Sequence, residues 1–278
     1  MDSETLWPER LGAQVERGLG QAKYVAARLK AEAKRADQAR AVWQRIQPDV
    51  DRKWLLHANA HIQKRKGLVV AAENYDHELA DVTSEIRTAA REYLSRLPTL
   101  FPRLIEQSAT EAGVPIDPGS RHPTYTFEQG FFRVDVNDRG GQVRVTNREC
   151  RPIRMLADVD AVMETVKREH TRVFGRAFDA TATLVALWSS YQAVTEEHKQ
   201  VLGGPVPIRE VTRRIVGSGT AIRSDELLVD ISRLVNHGPT EIDGWRLSLQ
   251  QTRDDVHGIF LHGTQVAGYV GSVLFRRI

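Results

Sequence analysis

Apolar residues fall into seven-residue series along the first hundred positions. Val15, Ala22, Leu29, Ala36 and Trp43 form one series, widened by Leu11, Leu19, Val25, Ala26, Ala33, Ala39 and Ile46. Strong helix formers fill the intervening positions, so the pattern predicts a helix from about Pro8 to Gln47. Gly12, Gly18 and Gly20 weaken its first turns. Gln47-Pro48-Asp49 supplies the expected break, because proline disrupts a helix interior but suits a first turn. A second helix is predicted from about Val50 to Leu97. There Leu68, Tyr75, Val82 and Ala89 alternate with Ala72, Leu79, Ile86 and Tyr93 as an a/d seam. Trp54, Ala58 and His61 carry the seam backwards until Arg65 interrupts it. Each helix would be roughly 60–70 Å long. A short break between two seams implies an antiparallel hairpin, and a kinked helix dimerising in trans would give the same pattern.

The pattern then changes. Pro98 to Pro123 holds five prolines and reads as a linker, with a short helix from Pro102 to Ala112 ending at Gly113. Thr124–Phe127, Phe131–Val136 and Gln142–Thr146 alternate as short strands, the last two joined by a glycine-containing hairpin loop. Val134 and Val136 share one strand face, with Arg133 and Asp135 on the other. Asp158 is placed to cap a helix over Val159–Phe174. Asp179 is placed to cap another that carries Leu184, Leu187, Trp188, Tyr191 and Val194 and extends to Leu202. Four regions are expected: a helical hairpin over 1–98, a linker over 99–123, a small β unit plus helix over 124–176, and a last domain over 177–278.

That last domain carries a resemblance. Pro207 to Val216 looks like the first helix of a helix-turn-helix, and Ser224 opens a second helix over Asp225–Asn236. Leu234-Val235-Asn236-His237-Gly238 follows, then Asp243-Gly244 and the alternating run Trp245 to Leu249. This order is similar to bacterial winged-helix domains over roughly residues 205–250. The resemblance implies either DNA binding through the second helix and wing or a role confined to protein contacts. The would-be reading helix bears Asp225, Glu226 and Asp230 against Arg233, a face that phosphates would repel. Arg209, Arg213 and Arg214 supply positive charge on the helix before it. The segment from Ile259 to Phe275 reads as further strands.

Charge adds a direction to the N-terminal helices. The whole chain is only +3, but residues 10–66 carry 14 basic and 5 acidic residues, while 73–92 carry 2 and 6. If the chain turns near Pro48, Lys34 and Arg35 lie opposite Lys64, Arg65 and Lys66, a five-cation belt with Arg45, Arg52 and Lys53 nearer the tip. Such an arm suits phosphates, each neutralised charge releasing a counterion, or an acidic partner. A solvated helical face has the same composition.

Catalytic signals are sparse. His57 and His61 have the four-residue spacing of a metal pair, but no companion ligand follows and His61 falls on the apolar seam. Asp135 followed by Gln142-Val143-Arg144 faintly resembles a degenerate metal-dependent nuclease core, but Gln142 is a poor ligand and charge on a hairpin loop accounts for the pattern. Cys150 is the only cysteine, which excludes an internal disulfide, and Arg148, Arg151 and Arg154 around it suggest a lowered thiol pKa. Gly217-Ser218-Gly219-Thr220 lacks the lysine of a phosphate loop. No apolar stretch approaches a membrane span, and the acidic N-terminus lacks the apolar core of a secretory signal.

The fold expected is mainly α with a minor β component: a long helical hairpin, a small β hairpin unit and a winged-helix-like domain. The function expected is a non-catalytic accessory or scaffold subunit of a cytoplasmic nucleic-acid-associated complex. It would have no cofactor and no metal, with sequence-independent DNA contact through Lys34, Arg35, Lys64, Arg65, Lys66, Arg209, Arg213 and Arg214. A protein partner such as a large ATPase is expected, as is a homodimer formed along the seam. The alternatives are a metal-dependent nuclease-like enzyme and a sequence-specific winged-helix regulator.

Overall fold

The computed structural model describes residues 9–73, 77–147, 149–219, 221–254, 256–263 and 268–278. Helices take 59% of it and antiparallel strands 18%, so the mainly-α class with a minor β component holds. The chain divides into two compact units, Met1–Ser95 and Arg96–Ile278.

In the first unit, α1 (Glu9–Asp51) runs straight past Pro48. The turn expected there comes later, at Lys53, whose φ is 62°. Carbonyls of the last helical turn are closed by Arg52 N to Pro48 O at 3.2 Å, Lys53 N to Val50 O at 2.9 Å and Trp54 N to Asp49 O at 2.7 Å. Those bonds, with Ile46 buried just before them, hold a final turn that proline alone would disfavour.

The second arm is three helices rather than one: α2 (Leu55–Lys64), α3 (Lys66–Glu73) and α4 (His77–Ser95). Arg65 N closes α2 on Ile62 O at 3.3 Å, and α3 restarts with Leu68 N and Val69 N on Arg65 O. α2 and α3 pack on α1, and α4 packs back on α2 and α3. Their shared core is Val42, Ile46, Ala58, Ile62, Val69 and Ile86, with Trp43 and Leu68 against it. The two-helix hairpin is thus corrected to one long helix whose last third is packed by α2 and α3, with α4 laid on those two. Seven-residue spacing serves both arrangements, because either one needs an apolar face at helical period. The buried face of α4 is Thr83, Ile86 and Ala90, while Val82 is exposed, and Tyr75 lies outside the described residues. Over positions 12–38 every side chain of α1 is exposed.

The second unit begins with α5 (Leu97–Ala112), in the stretch expected as a linker. Its start tolerates Pro98 at N1/N2, Pro102 lies inside it, and Leu97, Phe101, Ile105 and Ala109 form a buried face at 3–4 spacing. A four-stranded antiparallel sheet follows in the order β1 (Thr124–Phe127), β2 (Phe132–Asn137), β3 (Gln142–Asn147), β4 (Ile153–Leu156). The fourth strand went unread in the sequence. Tyr125, Phe127, Phe132, Val134, Val136, Val143 and Val145 are buried. α6 (Val159–Phe174) packs on β3 and β4 as well as on α5.

The remaining elements are α7 (Ala180–Glu197), β5 (Val206–Pro207), α8 (Ile208–Gly217), α9 (Ser224–His237), β6 (Glu241–Ile242), β7 (Trp245–Thr252), β8 (Ile259–Leu261) and β9 (Gly268–Arg277). Asp179 caps α7 by accepting from Ala182 N at 2.9 Å. The second sheet runs β5-β9-β7-β6, with β8 also on β9. β9 is therefore its centre. Asp243 and Gly244, with φ of 51° and 77°, make the two-residue turn between β6 and β7. Trp188 and Tyr191 of α7 meet Phe275 of β9 at 4.8 and 5.1 Å between ring centroids.

Candidate nucleic-acid interface

Two of the five belt cations flank a cleft of about 240 Å³ where α1 meets the α2–α3 junction. Its walls are Gln38, Ala41, Val42 and Arg45 from α1 and His61, Lys64, Arg65 and Leu68 from the other side. The rim is cationic through Arg45, Lys64 and Arg65, and the floor is apolar through Ala41, Val42 and Leu68. Lys34 and Arg35 precede Gln38 by four and three residues, so they stand one turn beyond the cleft on the same side of α1. Lys66 is the first residue of α3.

The acids nearby are engaged elsewhere. Glu32 faces Arg28 at 3.6 Å and Asp37 faces Arg40 at 3.3 Å. Asp49 faces His61 at 3.4 Å, and Glu73 faces Arg87 at 3.6 Å. Asp51 accepts from Gln47 at 2.8 Å. Lys34, Arg35, Arg45, Lys64, Arg65 and Lys66 are all exposed and have no carboxylate partner among the described residues. An exposed face normally interleaves signs; this one leaves its cations unneutralised, which is the electrostatic condition for holding a polyanion.

The other three predicted cations do not converge with each other in this way. Arg209 is held by Glu149 (3.2 and 3.4 Å) and donates to Gly258 O at 2.6 Å. Arg214 faces Glu197 at 2.9 Å. Arg213 is exposed and lines a cleft of about 220 Å³ with Arg209, Thr212 and Ser224.

The acidic residues of α9 point inward, which changes their meaning. Asp225 is fully buried and accepts from both terminal nitrogens of Arg172, from Asn147 Nδ2 at 2.8 Å and from Glu226 N at 3.0 Å. Glu226 accepts from Arg172 at 2.7 Å, and Asp230 from Arg176 at 2.6 Å. Burial, the largest single influence, would raise the Asp225 pKa, but hydrogen bonds from Arg172, Cys150 and Asn147 together with the Arg172 charge outweigh it and hold the carboxyl below its ordinary value. At Asp230 burial wins over Arg176 and the pKa is raised. Arg233 is turned to the Phe174 and Arg176 carbonyls. Leu227 to Ser232, six consecutive residues, are buried, which takes in every direction around a 3.6-residue turn. α6, α7, α8 and β8 surround the helix. Of α9 only Ser224 and His237, at its two ends, are exposed.

The remaining candidates resolve as structure. His61 meets Asp49, and the His57 ring lies 5.4 Å from that of Trp54. The Asp135 carboxylate accepts from Thr124 at 3.0 Å, Arg133 at 2.7 Å and Arg144 at 2.9 Å. Cys150 reverses expectation: burial, then the neighbouring Asp225, pushes its thiol up to about 11. Arg148, counted towards a basic setting, and Thr220 of the Gly-Ser-Gly-Thr run lie outside the described residues. Among the described residues no group of three or more His, Cys, Asp or Glu is arranged to hold a metal ion. No described helix is long and apolar enough to cross a membrane.

Comparison with protein-family models finds no match, and neither does comparison with curated proteins or with solved structures.

Proposed function

We propose that the chain is a non-catalytic accessory or scaffold subunit of a cytoplasmic nucleic-acid-associated assembly, and that it contacts DNA through sequence-independent phosphate contacts of the α1/α2/α3 belt. The observation that carries the reading is the set of unneutralised cations around the α1 cleft, beside acids that are each engaged elsewhere. The α8–α9 helix pair followed by antiparallel strands supports the winged-helix resemblance. Enclosure of α9 favours its use in holding proteins together over reading bases. A large ATPase suits such a scaffold as partner, since the chain brings no phosphate-binding loop of its own.

Five phosphate contacts give a log–log salt slope of about −4.5 on duplex DNA, so affinity falls roughly 500-fold between 50 and 200 mM salt. Binding should differ little between sequences. Replacing Lys34, Arg35, Lys64, Arg65 and Lys66 with Glu should abolish binding through the belt. A wild-type protein that fails to bind duplex at low salt removes the DNA half of the reading. Co-purification without an ATPase removes that partner.

A further inference from the structure

The sheet β1–β4 separates its charges by depth. Its segment, 121–156, has four described acids, all half-buried and each engaged: Glu128 with His170 (2.8 Å), Asp138 with His122 (2.8 Å), Glu149 with Arg209, and Asp135 with Thr124, Arg133 and Arg144. The described basic residues of the same segment are six arginines, 121, 133, 139, 144, 151 and 154, and every one is exposed. There is no lysine.

Register places three of these arginines on the face opposite the buried aromatics. Asp135 pairs across to Arg144, and Arg144 pairs across to Arg154. Arg133 lies two residues before Asp135, on the same face. Asp135 is engaged by Thr124, Arg133 and Arg144, and Arg154 has no carboxylate partner among the described residues and stands directly opposite another arginine. Like charges at directly opposed positions destabilise a sheet. An anion between the two guanidinium forks removes that repulsion, and a phosphate matches the forks bidentately.

We propose that the outer face of this sheet, through Arg133, Arg144 and Arg154, is a second binding surface for the phosphodiester backbone of duplex DNA. Charge complementarity selects the occupant. The same face offers Thr124, Thr126, Asn137, Gln142, Thr146 and half-buried Leu156, with no aromatic. It therefore lacks the apolar anchor that a protein partner needs at its centre and the stacking platform that single strands need. The surface belongs to the second unit and shares with the α1 belt only its ligand class.

The test uses the full-length protein, a fluorescent mixed-sequence duplex and a salt series. Arg154→Glu places a carboxylate opposite Arg144, so thermal stability should hold or rise while duplex affinity falls. The salt slope should become shallower by about 0.9 for the lost contact, with Arg154→Gln intermediate in affinity. A merely structural arginine would not move stability and binding in opposite directions. Unchanged affinity and slope for Arg154→Glu, alongside lost binding in the five-residue belt variant, overturns the sheet surface and leaves the belt standing. Polyglutamate competing as well as duplex, with the same dependence on Arg154, overturns it in favour of an acidic protein partner. Failure of the wild type to bind duplex at low salt overturns both surfaces.

Discussion

Asp225→Ala tests the buried charge cluster that encloses α9. The carboxylate is fully buried, and its removal leaves Asn147 Nδ2 and one side of the Arg172 fork unanswered. Breaking a buried ion pair from one side costs about 3–5 kcal/mol. Arg172 keeps Glu226 at 2.7 Å and Glu169 at 2.9 Å, which argues for the low end, about 3 kcal/mol. For a unit of this size that lowers the melting temperature by about 6–12 °C. Because Arg172 holds the Asp225 pKa down against burial, the wild-type advantage is present above about pH 4. It is lost as pH falls through the folded-state value. Cys150 supplies a local readout, since it is the only cysteine and its thiol is pushed up to about 11 by burial and Asp225. At pH 8 its thiolate fraction is about 200-fold lower than a free thiol's, and each thiolate is about 10-fold more nucleophilic, so disulfide-reagent labelling should run about 20-fold slower. Asp225→Ala should remove most of that protection. An Arg172→Met/Asp225→Leu double variant should recover only part of the stability, because it removes the buried pair but leaves Glu226 and Glu169 without their arginine. A loss below about 1 kcal/mol, or single-variant effects at Asp225 and Arg172 that simply add, would refute the reasoning.

Asp230→Asn should cost less than Asp225→Asn at pH 7, measured by urea unfolding. Burial raises the Asp230 pKa, so its contribution is present at acid pH and lost as pH rises through the folded-state value. Val15, Leu19, Tyr24, Val25 and Leu29 stay exposed along α1, so self-association is expected to run along this helix and not along α4. Sedimentation should show a dimer at micromolar concentration that Leu19→Glu/Leu29→Glu dissociates, whereas Val82→Glu leaves it intact.

Local signals were legible in the sequence and distant ones were not. The range Val159–Phe174 was readable because its apolar positions repeat at helical period, and the strand alternation around Val134 and Val136 marked the sheet. β4 escaped because it is four residues long, follows Pro152 and shows no clean alternation. Arg65 stood out as an interruption of the seam, but the seven-residue step from His61 to Leu68 continues across it, so one helix was expected where α2 and α3 stand. Residue counts gave α9 a repulsive acidic face. Its partners, Arg172 and Arg176, lie more than fifty positions earlier, and only the fold shows that these acids point inward. The α1 cleft was partly readable, since Lys34, Arg35, Lys64 and Arg65 follow from any turn near residue 50. The engagement of each neighbouring acid was not.

The central place of β9 has a consequence for how the second sheet is made. Val206 of β5 pairs with Val273, and Leu249 of β7 with the same residue, so strands on both sides wait for a segment that follows them in the chain. During synthesis β5, β6, β7 and β8 emerge before the strand that joins β5, β7 and β8 exists. Until then β7 carries only the two-residue partner β6, and its other edge is open to any strand nearby. A chain interrupted before Gly268 is thus expected to retain the helices while leaving unpaired strand edges. Docking of β9 is the step that covers the open edges of β5, β7 and β8.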